Sequence, residues 1–431
     1  MGTPRSALAP APVATRLTGR AAFAVFSLFA GAYFLSYALR AINAVIAPEL
    51  IARFGLTNAQ LGALSSAYFL AFALMQLPLG VCLDRFGSRR TNALLLLVSA
   101  VGCLIFATAQ DTAALWGGRA LIGVGVCGAL MSALKGYRFW YPPEHQGRLA
   151  AWMLVVGTGG AMMVTVPVEL ALPLLGWRGL FVLAAVALVI VSAGIAVGVP
   201  RDEERSLAPP AGEPVWSGFG QVYRSAEFWR WAIVSLSMQS HFVALQSLWA
   251  GPWFTQVVGM SPGEAAAALF VFNGVLLAGF LGLGWAAPGF ERRGWTVMHV
   301  AVAASLGFIG LQTAIALVDS RWAWLLWLPL GVVSTGFTLV QTHVAMIFPP
   351  SLTGRAFTGY NLLIFGGIFL HQWLFGVVAD AFRASLGDAA SAFRATLLVW
   401  VALQLAAFLL LLAWRPRGSR PNPRPELESR S

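Results

Sequence analysis

The 431-residue chain reads as an all-α membrane protein with twelve transmembrane helices in two six-helix pseudo-repeats. Three observations predict this. Composition is the first: 58% of residues are hydrophobic and 10% charged, where a soluble domain carries about 25% charge. Mean hydropathy is +0.74. The second is that the apolar residues gather in runs of about twenty, enough for a helix to cross ~30 Å of hydrocarbon. The third is internal repetition. Tyr141-Pro-Pro-Glu-His-Gln-Gly147-Arg148 returns as Phe348-Pro-Pro-Ser-Leu-Thr-Gly354-Arg355, offset by 207 residues.

In chain order the runs cover 21–47, 60–83, 92–109, 116–140, 149–175 and 180–199, then 231–257, 265–287, 296–317, 323–348, 357–379 and 395–414. The first is too long for the apolar core of a cleaved leader and is read as an uncleaved span. Residues 1–20 form an N-terminal tail, 21–199 one bundle, 200–230 a linker, 231–414 the second bundle and 415–431 a C-terminal tail. The linker mixes Arg201-Asp-Glu-Glu-Arg205 with Pro209, Pro210, Gly212 and Pro214, a composition that neither spans nor packs.

An even number of spans puts both ends on one side, and basic residues decide which. Of the 28 lysines and arginines, nineteen fall on the side of the 84–91 turn, five on the opposite side and four inside helices. The tails and the 84–91 turn are therefore expected in the cytoplasm, with the chain in the inner (plasma) membrane. The same distribution explains the net charge of +11 without a nucleic-acid partner. Cys82, Cys103 and Cys127 all lie in apolar runs and read as small buried hydrophobes. No metal-ligand cluster, nucleophile–base set or nucleotide loop is present in the sequence, so no cofactor and no enzyme activity are expected.

The turn between the second and third runs reads Gly80-Val-Cys-Leu-Asp84-Arg85-Phe-Gly87-Ser-Arg89-Arg90. At that position the pattern G-x-x-x-D-R-x-G-x-R-R resembles the signature of the major facilitator superfamily. Arg119-Ala-Leu-Ile-Gly123-Val-Gly125 resembles that superfamily's fourth-span motif. The resemblance implies twelve spans in two halves that rock about a midplane site. It also implies that Asp84 and Arg85 form a charge network near the eleventh span, holding one side shut. Gly284 to Arg293 echoes the turn weakly, with Pro288 where the aspartate would stand. In the first half, Arg40-Ala-Ile-Asn43, the stretch Phe54 to Gly62, Gln76-Leu-Pro78-Leu-Gly80, Trp140-Tyr-Pro-Pro and Gly176-Trp-Arg178 resemble the organic-anion branch, the anion:cation symporters. In that branch an acid commonly precedes the first-span arginine; here Leu39 does.

Charges inside spans are the informative ones, since each costs about 2.5–3.5 kcal/mol at the bilayer centre without a partner or a wet cavity. Here four cations, Arg40, Arg119, Lys135 and Arg138, face one acid, Glu169. That excess suits an anion. Tyr33, Ser36, Tyr37, Arg40 and Asn43 share one face of the first span. Lys135 is the sole lysine and a second candidate. In the second half Gln239, Gln246 and Trp249 form a polar and aromatic stripe on the seventh span, and Tyr360 and Asn361 add to it from the eleventh. Glu169 and His371 are the candidates for carrying a coupling proton. Gly80, Asp84, Arg85, Gly87, Arg89, Arg90 and Arg119 form the gating motif.

The expected function is secondary transport of a small organic anion, coupled to protons, by a monomer in the lipid bilayer. Two alternatives stay open. A multidrug–proton antiporter usually carries G-x-x-x-G-P-x-x-G-G in the fifth span, a spacing that Gly157, Gly159, Gly160 and Pro167 do not match. A non-transporting nutrient sensor would lack a soluble domain to pass on its signal.

Overall fold

The computed structural model describes residues 17–201 and 218–414. Most of the predicted N-terminal tail, the whole predicted C-terminal tail and residues 202–217 of the linker lie outside the described residues. The chain runs through α1 (Gly19–Ala41), α2 (Asn43–Phe54), α3 (Asn58–Thr108), α4 (Thr112–Val126), α5 (Ala129–Trp140), α6 (Gln146–Met163) and α7 (Val166–Gly198). The second half holds α8 (Phe219–Tyr223), α9 (Ala226–Ala244), α10 (Ala250–Gln256), α11 (Pro262–Arg292), α12 (Val297–Leu317), α13 (Trp327–Ser334), α14 (Phe337–Met346), α15 (Pro350–Leu386) and α16 (Ala389–Ala413).

Nine helices among the described residues are long and apolar enough to cross a membrane. α3 accounts for two passes. Its 51 residues would reach ~77 Å as one straight helix, far more than a bilayer's ~30 Å. It folds back at Gly87, where φ is +77° and ψ 171°, a conformation only glycine adopts cheaply. The cation-rich turn read from sequence sits at this bend. A fifth pass is formed by α6 with the start of α7, which bends at Gly176. α9 with α10 forms a seventh, giving twelve in all. The seventh begins at Ala226, and the short α8 lies inside the stretch expected to be linker.

The two halves share breaks as well as motifs. The fourth pass breaks at Cys127–Gly128 between α4 and α5, and the tenth at Thr335–Gly336 between α13 and α14, 208 residues on. Within the first half, Gly123 and Gly125 let α4 press against α3. A Cβ at either would stand 2.2 Å from the Tyr68 carbonyl oxygen or 2.3 Å from the Ser99 amide nitrogen.

At the face opposite Gly87 the halves are clasped. The Asp380 carboxylate, on α15, accepts from the Asn58 amide (3.2 Å), the Asn58 side chain (2.8 Å) and the Ala59 amide (2.8 Å) at the start of α3. These amides are among the donors a helix start leaves unpaired. Thr57 and Gln60 satisfy the neighbouring positions as a capping box. The approach is close because two glycines permit it. A Cβ on Gly62 would lie 2.4 Å from the Gln372 carbonyl oxygen, and one on Gly376 would lie 2.2 Å from that of Asn58. Nearer mid-depth, Phe72 stacks on Phe365 across the halves with ring centroids 4.1 Å apart.

Candidate functional site

A cavity of about 220 Å³ lies between the halves. Passes one, two, four and five line it from the first half, and passes seven, eight, ten and eleven from the second. α1 contributes Tyr33, Ser36, Tyr37 and Arg40, as its helical spacing predicts. Opposite stand Gln239 and Gln246 from the seventh pass, Gln341 from α14 and Asn361 from α15. The walls between are apolar, with Phe72, Leu130, Met131, Phe242, Phe357 and Phe365 among them.

Arg40 is the only charged side chain among the described residues lining this cavity. Its guanidinium carbon sits 4.2 Å from the centre of the Tyr37 ring and 5.7 Å from that of Phe365. Its Nε has no hydrogen-bond partner. No described carboxylate pairs with it. A cation held on aromatic faces, with donors to spare, is a receptor for an anion's oxygens.

The amides opposite are oriented by neighbours. Gln246 donates to the Asn273 oxygen at 2.8 Å, and Asn273 in turn donates to the Leu269 carbonyl at 2.8 Å. Gln341 donates to the Asn361 oxygen at 2.8 Å. Helical spacing alone does not single out Gln76 and Gln341 as lining residues, although each is a lone amide in an apolar run.

Several expected residues stand elsewhere. Asn43 lies past the break at Ile42 and donates to Ser65 at 2.8 Å, tying α2 to α3. Lys135 is not in the cavity. Its ammonium pairs with Asp84 at 2.7 Å and donates to the Leu83 carbonyl at 2.6 Å. Trp249 is buried, donating to the Gln372 carbonyl at 3.1 Å and packing on Phe375 and Phe393. A π turn at Leu245–Trp249 inserts one residue into the seventh pass and rotates the stripe beyond Gln246 away from the cavity. Tyr360 is buried against Phe228, one position from the cavity-lining Asn361.

Neither expected proton carrier lines the cavity. Glu169 borders a separate recess with Pro48, Gly251, Thr255 and Pro262, towards the clasped face. His371 is enclosed in the second half. Its Nε2 meets the Leu236 carbonyl at 2.9 Å, and its Nδ1 accepts from the Trp400 indole. A carbonyl only accepts and an indole N–H only donates, so these partners fix one neutral tautomer.

In the gating motif, Gly87 makes the turn, Asp84 holds Lys135, and Arg85 lies 5.4 Å from the Phe86 ring centre. Arg89 donates to the Ala196 carbonyl at the end of α7, 2.9 Å from its Nε. Gly80 and Arg90 lie on the exposed side of this segment. Arg119 is fully buried, donating to the Leu39 carbonyl at 2.8 Å beneath the Tyr68 ring, and so joins α4 to α1.

Two helical bundles around a central cavity, clasped at one face, define a multi-pass membrane protein of carrier type. The family model described as Major Facilitator Superfamily matches residues 29–371. The chain belongs to this superfamily and is a transporter, not an enzyme. Its relatives include the probable sulfoacetate transporter SauU of Cupriavidus necator, 33% identical over 36% of each chain. The hexuronate transporter of Escherichia coli is 23% identical over 63% of this chain and 66% of its own. The probable nitrate/nitrite antiporter NarK1 of Thermus thermophilus is 27% identical over 57% of each. The matches span about a third of the length of the first curated relatives. Among solved structures, a bacterial homologue of the human lysosomal transporter Spinster, inward-facing and occupied, superposes with a TM-score of 0.75. It is 17% identical, over 92% of this chain and 97% of that one. A D-xylose–proton symporter gives 0.72 at 17% identity, over 92% and 98%. At such identities the likeness concerns the fold alone.

Proposed function

We propose that this protein is a secondary transporter of small organic anions, carboxylates above all, working by alternating access around the Arg40 cavity. One observation carries the reading: the lining holds a single charge, it is positive, and no described carboxylate neutralises it. The anionic head sits on Arg40 with the Tyr33 and Tyr37 hydroxyls beside it, and the amides of the second half meet the remainder. The named relatives that handle sulfoacetate and hexuronate support an anionic cargo. The uneven distribution of arginine supports a cytoplasmic Gly87 turn. The clasp then closes the outer side.

The test is binding and uptake by purified protein in liposomes, after a thermal-shift screen against organic acids. Arg40→Ala removes a charge-assisted contact worth about 2–3 kcal/mol, on the order of a hundredfold in affinity. Arg40→Lys keeps the charge but loses the planar fork, and recovers only part of the binding. Wild-type uptake by both variants would refute the assignment.

A further inference from the structure

We propose that the carrier is an obligate one-for-one anion exchanger, reorienting only when an anion occupies Arg40. This rests on the anion reading above and adds its mode of coupling. A guanidinium keeps its charge throughout the physiological pH range. For the empty carrier to reorient, the cavity must close around that charge and shed its water, which is unfavourable without a counter-ion. The groups facing Arg40 are neutral: the Tyr37 and Phe365 rings, with Tyr33 and Tyr68 close by. The cargo is therefore the counter-ion that permits closure.

A proton symporter needs a group in the passage that takes up the coupling proton. Among the described residues lining the cavity there is no carboxylate, histidine or lysine. The other intramembrane titratable side chains lie off the cavity, His241 and His343 among them, packed on Trp400 and Trp231. Glu169 lies in the separate recess, Lys135 is paired with Asp84, and His371 is held between Leu236 and Trp400. The position before Arg40 offers no substitute, since Leu39 is buried and its carbonyl is taken by Arg119. One fixed charge matches one net negative charge on the cargo, so exchange of monoanions is electroneutral.

The experiment uses full-length protein in liposomes, with labelled glucuronate, sulfoacetate and nitrate as separate probes. The expected result is uptake at least about tenfold faster into vesicles preloaded with the same unlabelled anion than into empty ones. A protonophore or an imposed pH gradient leaves that rate unchanged. Gln76→Glu supplies the cavity with its own counter-charge, and is expected to raise uptake into empty vesicles relative to preloaded ones. Should that variant fail to fold, the wild-type comparison still decides. Uptake into empty vesicles as fast as into loaded ones, or driven by an inward proton gradient, overturns exchange while leaving the anion reading intact. No uptake of any probe into either kind of vesicle overturns the anion reading, and exchange with it.

Discussion

Replacing Asp380 with asparagine keeps the shape of the clasp and removes its charge. The carboxylate accepts three hydrogen bonds, at 2.8, 2.8 and 3.2 Å, two of them from main-chain amides at the positive end of α3. A hydrogen bond to a charged group contributes about 1.5–3 kcal/mol and a favourable helix end about 0.3–1 kcal/mol. Asp380 is only partly buried and borders an open recess, so solvent screens part of this. Asparagine retains one acceptor oxygen. The net loss should be about 1–2 kcal/mol, a shift of roughly 5–30-fold towards the unclasped state. Ala265, 4% exposed in the recess between the halves near the clasped face, reports that opening. With Cys82, Cys103 and Cys127 changed to serine, the alkylation rate of Ala265→Cys by a membrane-impermeant maleimide should rise about tenfold on adding Asp380→Asn. An unchanged rate in a folded variant would mean that this contact does not hold the face shut.

Gly62→Ala attacks the same closure sterically. Its methyl would stand 2.4 Å from the Gln372 oxygen, and relief of such overpacking costs the clasped state about 1–3 kcal/mol. The Ala265→Cys reporter should again react faster, and a slower reaction would contradict the packing argument. Lys135→Met removes the Asp84 partner outside the cavity, where a half-exposed pair contributes about 0–1 kcal/mol. Anion affinity of the purified variant, read by ligand-dependent thermal shift, should match wild type. A loss as large as that of Arg40→Ala would put Lys135 back in the binding site.

The residues legible in the sequence are those whose role depends on local spacing. Gly87 announces its turn because cations crowd between two apolar runs. Tyr33, Ser36, Tyr37 and Arg40 recur with the helical period, and α1 remains helical through Ala41. The same stripe overruns at Asn43, whose side chain is engaged by Ser65 on α3, and at Trp249 because a π turn shifts the register. What stays hidden depends on partners far along the chain. Lys135 meets Asp84 across 51 residues, and His371 meets Trp400 across 29 and Leu236 across 135. The clasp leaves no local trace at all. Asp380 stands one residue beyond the predicted end of the eleventh span, and nothing nearby marks its partner 322 residues earlier.

Two of the three donors that Asp380 reads belong to the peptide backbone, which every amino acid except proline supplies. Position 59 can therefore drift over evolutionary time with little effect on this latch, position 58 at the loss of one side-chain donor, whereas the aspartate has no understudy. The mechanism's mutational fragility is concentrated in one acidic side chain, and a lineage that lost it would be expected to rest with the clasped face ajar.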